Sequence, residues 1–76
     1  MQLMEQEKQR ILKQLGARIR KLRGEKGLSQ EKFADEAGIE RSYMGAIERG
    51  ERNPTYYKVY KIAKALRVNL KQLFDY

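Results

Sequence analysis

Residues 29–50, SQEKFADEAGIERSYMGAIERG, decide the fold. Two short helical patterns lie here, separated by a turn. Ser29 is a residue type that caps helix N-termini, and Phe33, Ala34 and Ala37 follow it at helical spacing. Lys32 stands where a capping box would place Glu, so that reciprocal bond is not expected. Gly38 ends the first pattern. A second helix is predicted from about Arg41 to Arg49, ended by Gly50.

This second helix carries little to bury in its middle, where Gly45 and Ala46 stand. On a wheel of about 100° per residue with Arg41 at zero, Tyr43, Ile47 and Met44 fall at roughly 200°, 240° and 300°. That is the core-facing side. The opposite side, centred near about 90°, collects Gly45, Arg49, Ser42 and Ala46, with Arg41 at its edge. A mid-helix glycine costs about 1 kcal/mol relative to alanine, and its missing side chain lets another surface come close. A helix of this kind, flanked by arginines, suits the major groove of B-DNA, which admits one α-helix. An eight-residue helix, a glycine turn and such a helix make a helix-turn-helix, spanning 29–49.

Outward from this core the chain remains helical. Leu12, Leu15, Ile19 and Leu22 predict a long first helix ending by Gly27. Residues 1–8, rich in Gln and Glu, either extend it or fray. After Pro54, Thr55 caps a fourth helix whose expected apolar face is Tyr56, Val59, Ile62, Ala63 and Leu66. Asn69, with Gln72 three residues on, forms a capping box for a fifth. No strand-period run, repeat or linker interrupts the pattern. The expectation is all-α: one compact five-helix domain over residues 1–76.

Composition narrows the partner. The 76 residues include no cysteine and no histidine, which removes disulfides and the usual zinc spacings; no metal or cofactor is expected. A core of this size is marginal alone, so a partner subunit is expected. No apolar run spans a bilayer, no signal-peptide pattern opens the sequence, and a cytoplasmic location fits. The net charge of +7 points to an anionic partner. Its distribution is uneven: residues 1–27 carry +5, residues 28–54 carry −2 and residues 55–76 carry +4. The helix-turn-helix is therefore the least basic third. If it binds nucleic acid, placed residues and not charge density do the choosing.

From about Leu15 to Phe74 the sequence resembles the phage repressor and Cro-like helix-turn-helix family, with its lambda-repressor-like fold. GLSQEKFADEAGI is similar to that family's first motif helix and turn, IERGERNP to its loop after the recognition helix, and RVNLKQLF to its final helix. Within the family, ERSYMGAIERGERNP leans toward the small controller proteins of restriction–modification operons.

The resemblance implies roles by position. Arg41 and Ser42 stand where family members read bases; Arg41 suits guanine O6 and N7, a pair worth about 1–3 kcal/mol of discrimination. Glu40 either accepts from a cytosine amine or repels phosphate. Ala46 either meets a thymine methyl or is simply a good helix former. Tyr43 is core, with its hydroxyl reaching a phosphate at the rim. Gln30, at a helix N-terminus, implies a phosphate contact. Arg49, Arg52 and Asn53, leaving the recognition helix, look like phosphate contacts or readers at the groove edge. Arg23 and Glu48 correspond to a structural ion pair joining the first helix to the third. Leu70, Leu73, Phe74 and Tyr76 offer more apolar surface than a short helix can hide; some of them pack inward, and the remainder implies a two-fold dimer interface over residues 69–76.

The expected function is sequence-specific regulation of transcription by a homodimer on a pseudo-palindromic operator of double-stranded DNA. Its half-sites would lie one turn, about 34–36 Å, apart, with contact to RNA polymerase at some positions. An enzyme is not expected, since no phosphate loop, nucleophile–base pair or paired-carboxylate site is visible. The alternative is an antitoxin-like or adaptor protein that uses the fold to bind another protein. A membrane-surface helix is disfavoured by the helix-turn-helix itself.

Overall fold

The structure, a computed structural model, describes residues 3–76, with side chains from residue 4 onward. Five α-helices follow in order: α1 Leu3–Glu25, α2 Gln30–Ala37, α3 Arg41–Glu48, α4 Tyr56–Leu66 and α5 Leu70–Leu73. The Gln- and Glu-rich start belongs to α1 from Leu3 onward; residues 1 and 2 lie outside the described residues.

Caps set the boundaries. The Ser29 hydroxyl accepts the Lys32 N–H at 3.1 Å and starts α2. Gly38 then takes φ 68°, a left-handed conformation that costs glycine nothing, and turns the chain into α3. The Thr55 hydroxyl accepts from the Lys58 N–H at 3.2 Å, starting α4. Asn69 and Gln72 form the complete capping box on α5, at 2.7 and 2.9 Å. Glu40 makes no capping bond, so α3 begins with its N–H groups uncapped by a side chain.

One apolar cluster joins the helices, with Ile19, Phe33, Met44, Ile47, Ile62, Leu66 and Leu73 fully buried at its centre. α1 packs against α3 and α4, α2 against the same two, and α5 closes against α4. Arg18 fastens α5 to α1 through its guanidinium, which donates to the Gln72 carbonyl at 2.8 Å. Tyr56 departs from expectation. It is 69% exposed, because the first turn of α4 projects past the core that Val59, Ile62, Ala63 and Leu66 fill.

The α1–α3 contact is unusually close. A methyl group at Gly16 would sit 2.5 Å from the Glu48 carbonyl oxygen and against that of Ile47, both rigid backbone. Gly24, on the same helix, has open space around it. Gly16→Ala should therefore lower stability, since overpacking of about 1–3 kcal/mol outweighs the roughly 1 kcal/mol gain in helix propensity. Gly24→Ala should leave the melting temperature unchanged or slightly raised. Thermal unfolding of the two variants side by side checks the difference.

Candidate nucleic-acid interface

The fold turns the start of α3 outward while burying its back. Met44 and Ile47 are in the core, Tyr43 is half-buried, and Arg41, Ser42 and Arg49 are exposed. A chain of polar contacts ties this face to the interior. Arg23 donates to both oxygens of Glu48, Nε to Oε2 at 2.8 Å and Nη2 to Oε1 at 3.1 Å. Its third nitrogen, Nη1, donates to the Leu28 carbonyl at 3.0 Å. The Glu48 side chain is only 3% exposed and Arg23 17%. Glu48 also accepts from Gln30 Nε2 at 3.1 Å, and Gln30 Oε1 in turn accepts from Arg41 Nη1 at 3.1 Å. Arg41 at the surface is thus linked to a buried ion pair through a single residue, Gln30. Ser42, beside it, donates its hydroxyl to the Glu40 carboxylate.

One sequence expectation changes here. Gly45 and Ala46 were expected to face outward as open space. Both are buried. Over Gly45 lie Gln30 Oε1 and Arg49 Nη1, 3.1 and 3.2 Å from where a Cβ would be. Ala46, 8% exposed, lines a concavity between α3 and the start of α4 together with Ser42, Tyr43, Arg52 and Lys58. Gln30, expected at phosphate, gives one Nε2 N–H to Glu48 and accepts from Arg41 through Oε1, which leaves its second N–H for a phosphate.

Tyr43 forms a wall of the concavity and holds two cations against its ring. Lys58 Nζ lies 4.2 Å from the centroid and the Arg52 guanidinium 5.8 Å. Contacts of this kind are worth about 0.5–1 kcal/mol at exposed sites. Lys58 was missed in the sequence reading. Its signal was there: a lysine in the first turn of α4, with no acidic residue in that turn, opposes the helix dipole. Asn53 is exposed in the same loop. Glu51 was also missed. Its Oε2 accepts from Arg49 Nε at 3.1 Å, and that hydrogen bond holds the Glu51 carboxyl below its ordinary pKa.

The expected dimer residues divide. Leu73 is fully buried within the chain's own core and cannot face a partner. Leu70 is half-buried against the core, whereas Phe74 and Tyr76 are 48% and 58% exposed. Among the described residues, no cluster of three metal-ligating acidic side chains occurs, and no helix is long and apolar enough to cross a membrane.

Comparison with known proteins agrees with this geometry. Residues 19–73 match the family HTH_3, helix-turn-helix. The control protein C.BamHI of Bacillus amyloliquefaciens is 44% identical over 62 residues, covering 80% of this chain and 76% of that protein. The crystal structure of the restriction–modification controller protein C.AhdI from Aeromonas hydrophila superposes with a TM-score of 0.81 at 46% identity, covering 83% of this chain and 96% of that one. The biofilm master regulator SinR, crystallised in complex with DNA, superposes with a TM-score of 0.75 at 37% identity, over 80% of this chain and 98% of that one. The chain belongs to the HTH_3 helix-turn-helix family of DNA-binding transcriptional regulators.

Proposed function

We propose that this regulator is a controller protein of a restriction–modification operon, acting in the cytoplasm as a homodimer on a pseudo-palindromic operator. The observation that carries the reading is the outward start of α3, where Arg41 is held by Gln30 beside an exposed Ser42–Glu40 pair. Arg41 reads guanine, and Ser42 and Glu40 meet the neighbouring base edges. Arg52, Lys58 and Asn53 line the exit from α3 and take phosphates, which set register. Tyr43 supports two of those cations from the rim. The resemblance to the named controller proteins supports the operon assignment, and occupancy next to RNA polymerase is the mode of control.

The dimer forms through Phe74 and Tyr76, with Leu70 at the margin. The surface continues onto α1, where Ala17 and Lys21 flank Tyr76 and where buried Arg18 Nε has no hydrogen-bond partner among the described residues. Two-fold symmetry then places the two copies of α3 in successive major grooves.

Selection from a random duplex pool tests the proposal. A two-fold symmetric site with half-sites about 10–10.5 base pairs apart is expected. A single, unpaired half-site would contradict the dimer. Arg52→Ala should weaken binding to every sequence and lower the salt slope by about one. Titration at several salt concentrations checks this, and an unchanged slope would remove Arg52 from the phosphate contacts.

A further inference from the structure

The Arg49–Glu51 pair is not explained by folding. Both side chains are more than half exposed, at 58% and 57%, and ion pairs of that kind contribute little to stability. Their placement is specific all the same. Arg49 follows α3, yet its side chain runs back along the helix until Nη1 lies over Gly45, at the middle of the face that begins with Arg41 and Ser42. Glu51 occupies Nε.

We propose that Arg49 reads a base edge, that Glu51 is its positioning residue, and that position 45 is glycine to leave room for the Arg49 guanidinium. This rests on the DNA-reading function proposed above. With Nε engaged by a carboxylate, the guanidinium keeps the donors of its two terminal nitrogens as a fixed fork. That fork matches the O6 and N7 acceptors of guanine. A phosphate contact would gain nothing from Glu51, whose negative charge repels phosphate. A base edge presents neutral acceptors and benefits from a guanidinium already held in place. Gly45 completes the arrangement. A Cβ there would lie 3.2 Å from Arg49 Nη1 and 3.1 Å from Gln30 Oε1, so these two side-chain ends would have to give way by a few tenths of an ångström.

The test uses the full chain and an operator obtained by selection with the wild-type protein, varied one base pair at a time. Wild type should prefer guanine at a half-site position distinct from the one Arg41 reads. Glu51→Gln and Gly45→Ala should each flatten the preference at that same position by roughly tenfold. Glu51→Gln should leave the preferences at the other positions unchanged and melt with wild type, whereas Gly45→Ala, which also presses on Gln30, should in addition weaken the preference at the position Arg41 reads. If Glu51→Gln raises affinity equally on all sequences, Glu51 only repels phosphate and the inference is overturned. If it lowers affinity equally on all sequences, Arg49 is a phosphate contact and the inference is likewise overturned. Failure of the wild type to enrich any site would sink the DNA-reading proposal itself, a result visible before any variant is made.

Discussion

Glu48→Ala is expected to lower the unfolding free energy by about 3–5 kcal/mol, the range for removing one partner of a buried ion pair. Glu48 receives three hydrogen bonds, two from Arg23 and one from Gln30. Its loss leaves the Arg23 guanidinium largely out of water with only the Leu28 carbonyl, and leaves the Gln30 amide without its acceptor. Glu48→Gln keeps an oxygen for these donors while removing the charge, and should fall between the two. Against the marginal stability of a domain this small, the alanine variant should be substantially unfolded at 37 °C. Denaturant titration reads the effect directly. A loss below about 1 kcal/mol, the scale of an exposed pair, would show that the contact is solvated.

Arg41→Ala should cost about 1–3 kcal/mol of base discrimination at one position of each half-site, while the fold is unaffected because the side chain is exposed. Arg41→Lys separates charge from geometry. Lysine keeps the positive charge but not the planar fork, so affinity for DNA in general should survive while preference at that position falls. Binding titrations against operators changed at each base pair distinguish these. Equal weakening on all sequences would make Arg41 a phosphate contact.

Much of the fold was legible because it is written in local chemistry. Ser29, Thr55 and the Asn69–Gln72 pair are caps, and each capping bond is made. Met44 and Ile47 point inward because a helix of this pitch leaves them no other face. The errors arise where one helix meets another. A wheel drawn for α3 alone left Gly45 open, but Gln30 arrives from α2 and Arg49 folds back over it. Leu73 was grouped with the dimer residues, with no means of telling which of the four would pack inward. Packed on the core, α5 buries it completely. Tyr56 fits the apolar period of α4 yet stands in a first turn with no core beneath it. Lys58 carries no periodic signal for its partner, since Tyr43 is reached across a loop, and Glu51 stands in a turn outside any helical period, paired with Arg49 two residues before it. The Arg23–Glu48 pair was drawn from family resemblance, and the structure adds what resemblance did not supply: its extension through Gln30 to Arg41.

These features share one consequence. The helix-turn-helix carries less positive charge than the segments on either side of it, so its contribution to binding lies in placement. The most direct test is a competition titration of the selected operator against a shuffled duplex of identical base composition, repeated across salt concentrations. The account predicts that both affinities fall as salt rises while the operator stays at least about 10³-fold tighter. Equal affinity for the two duplexes, at any salt, would contradict it.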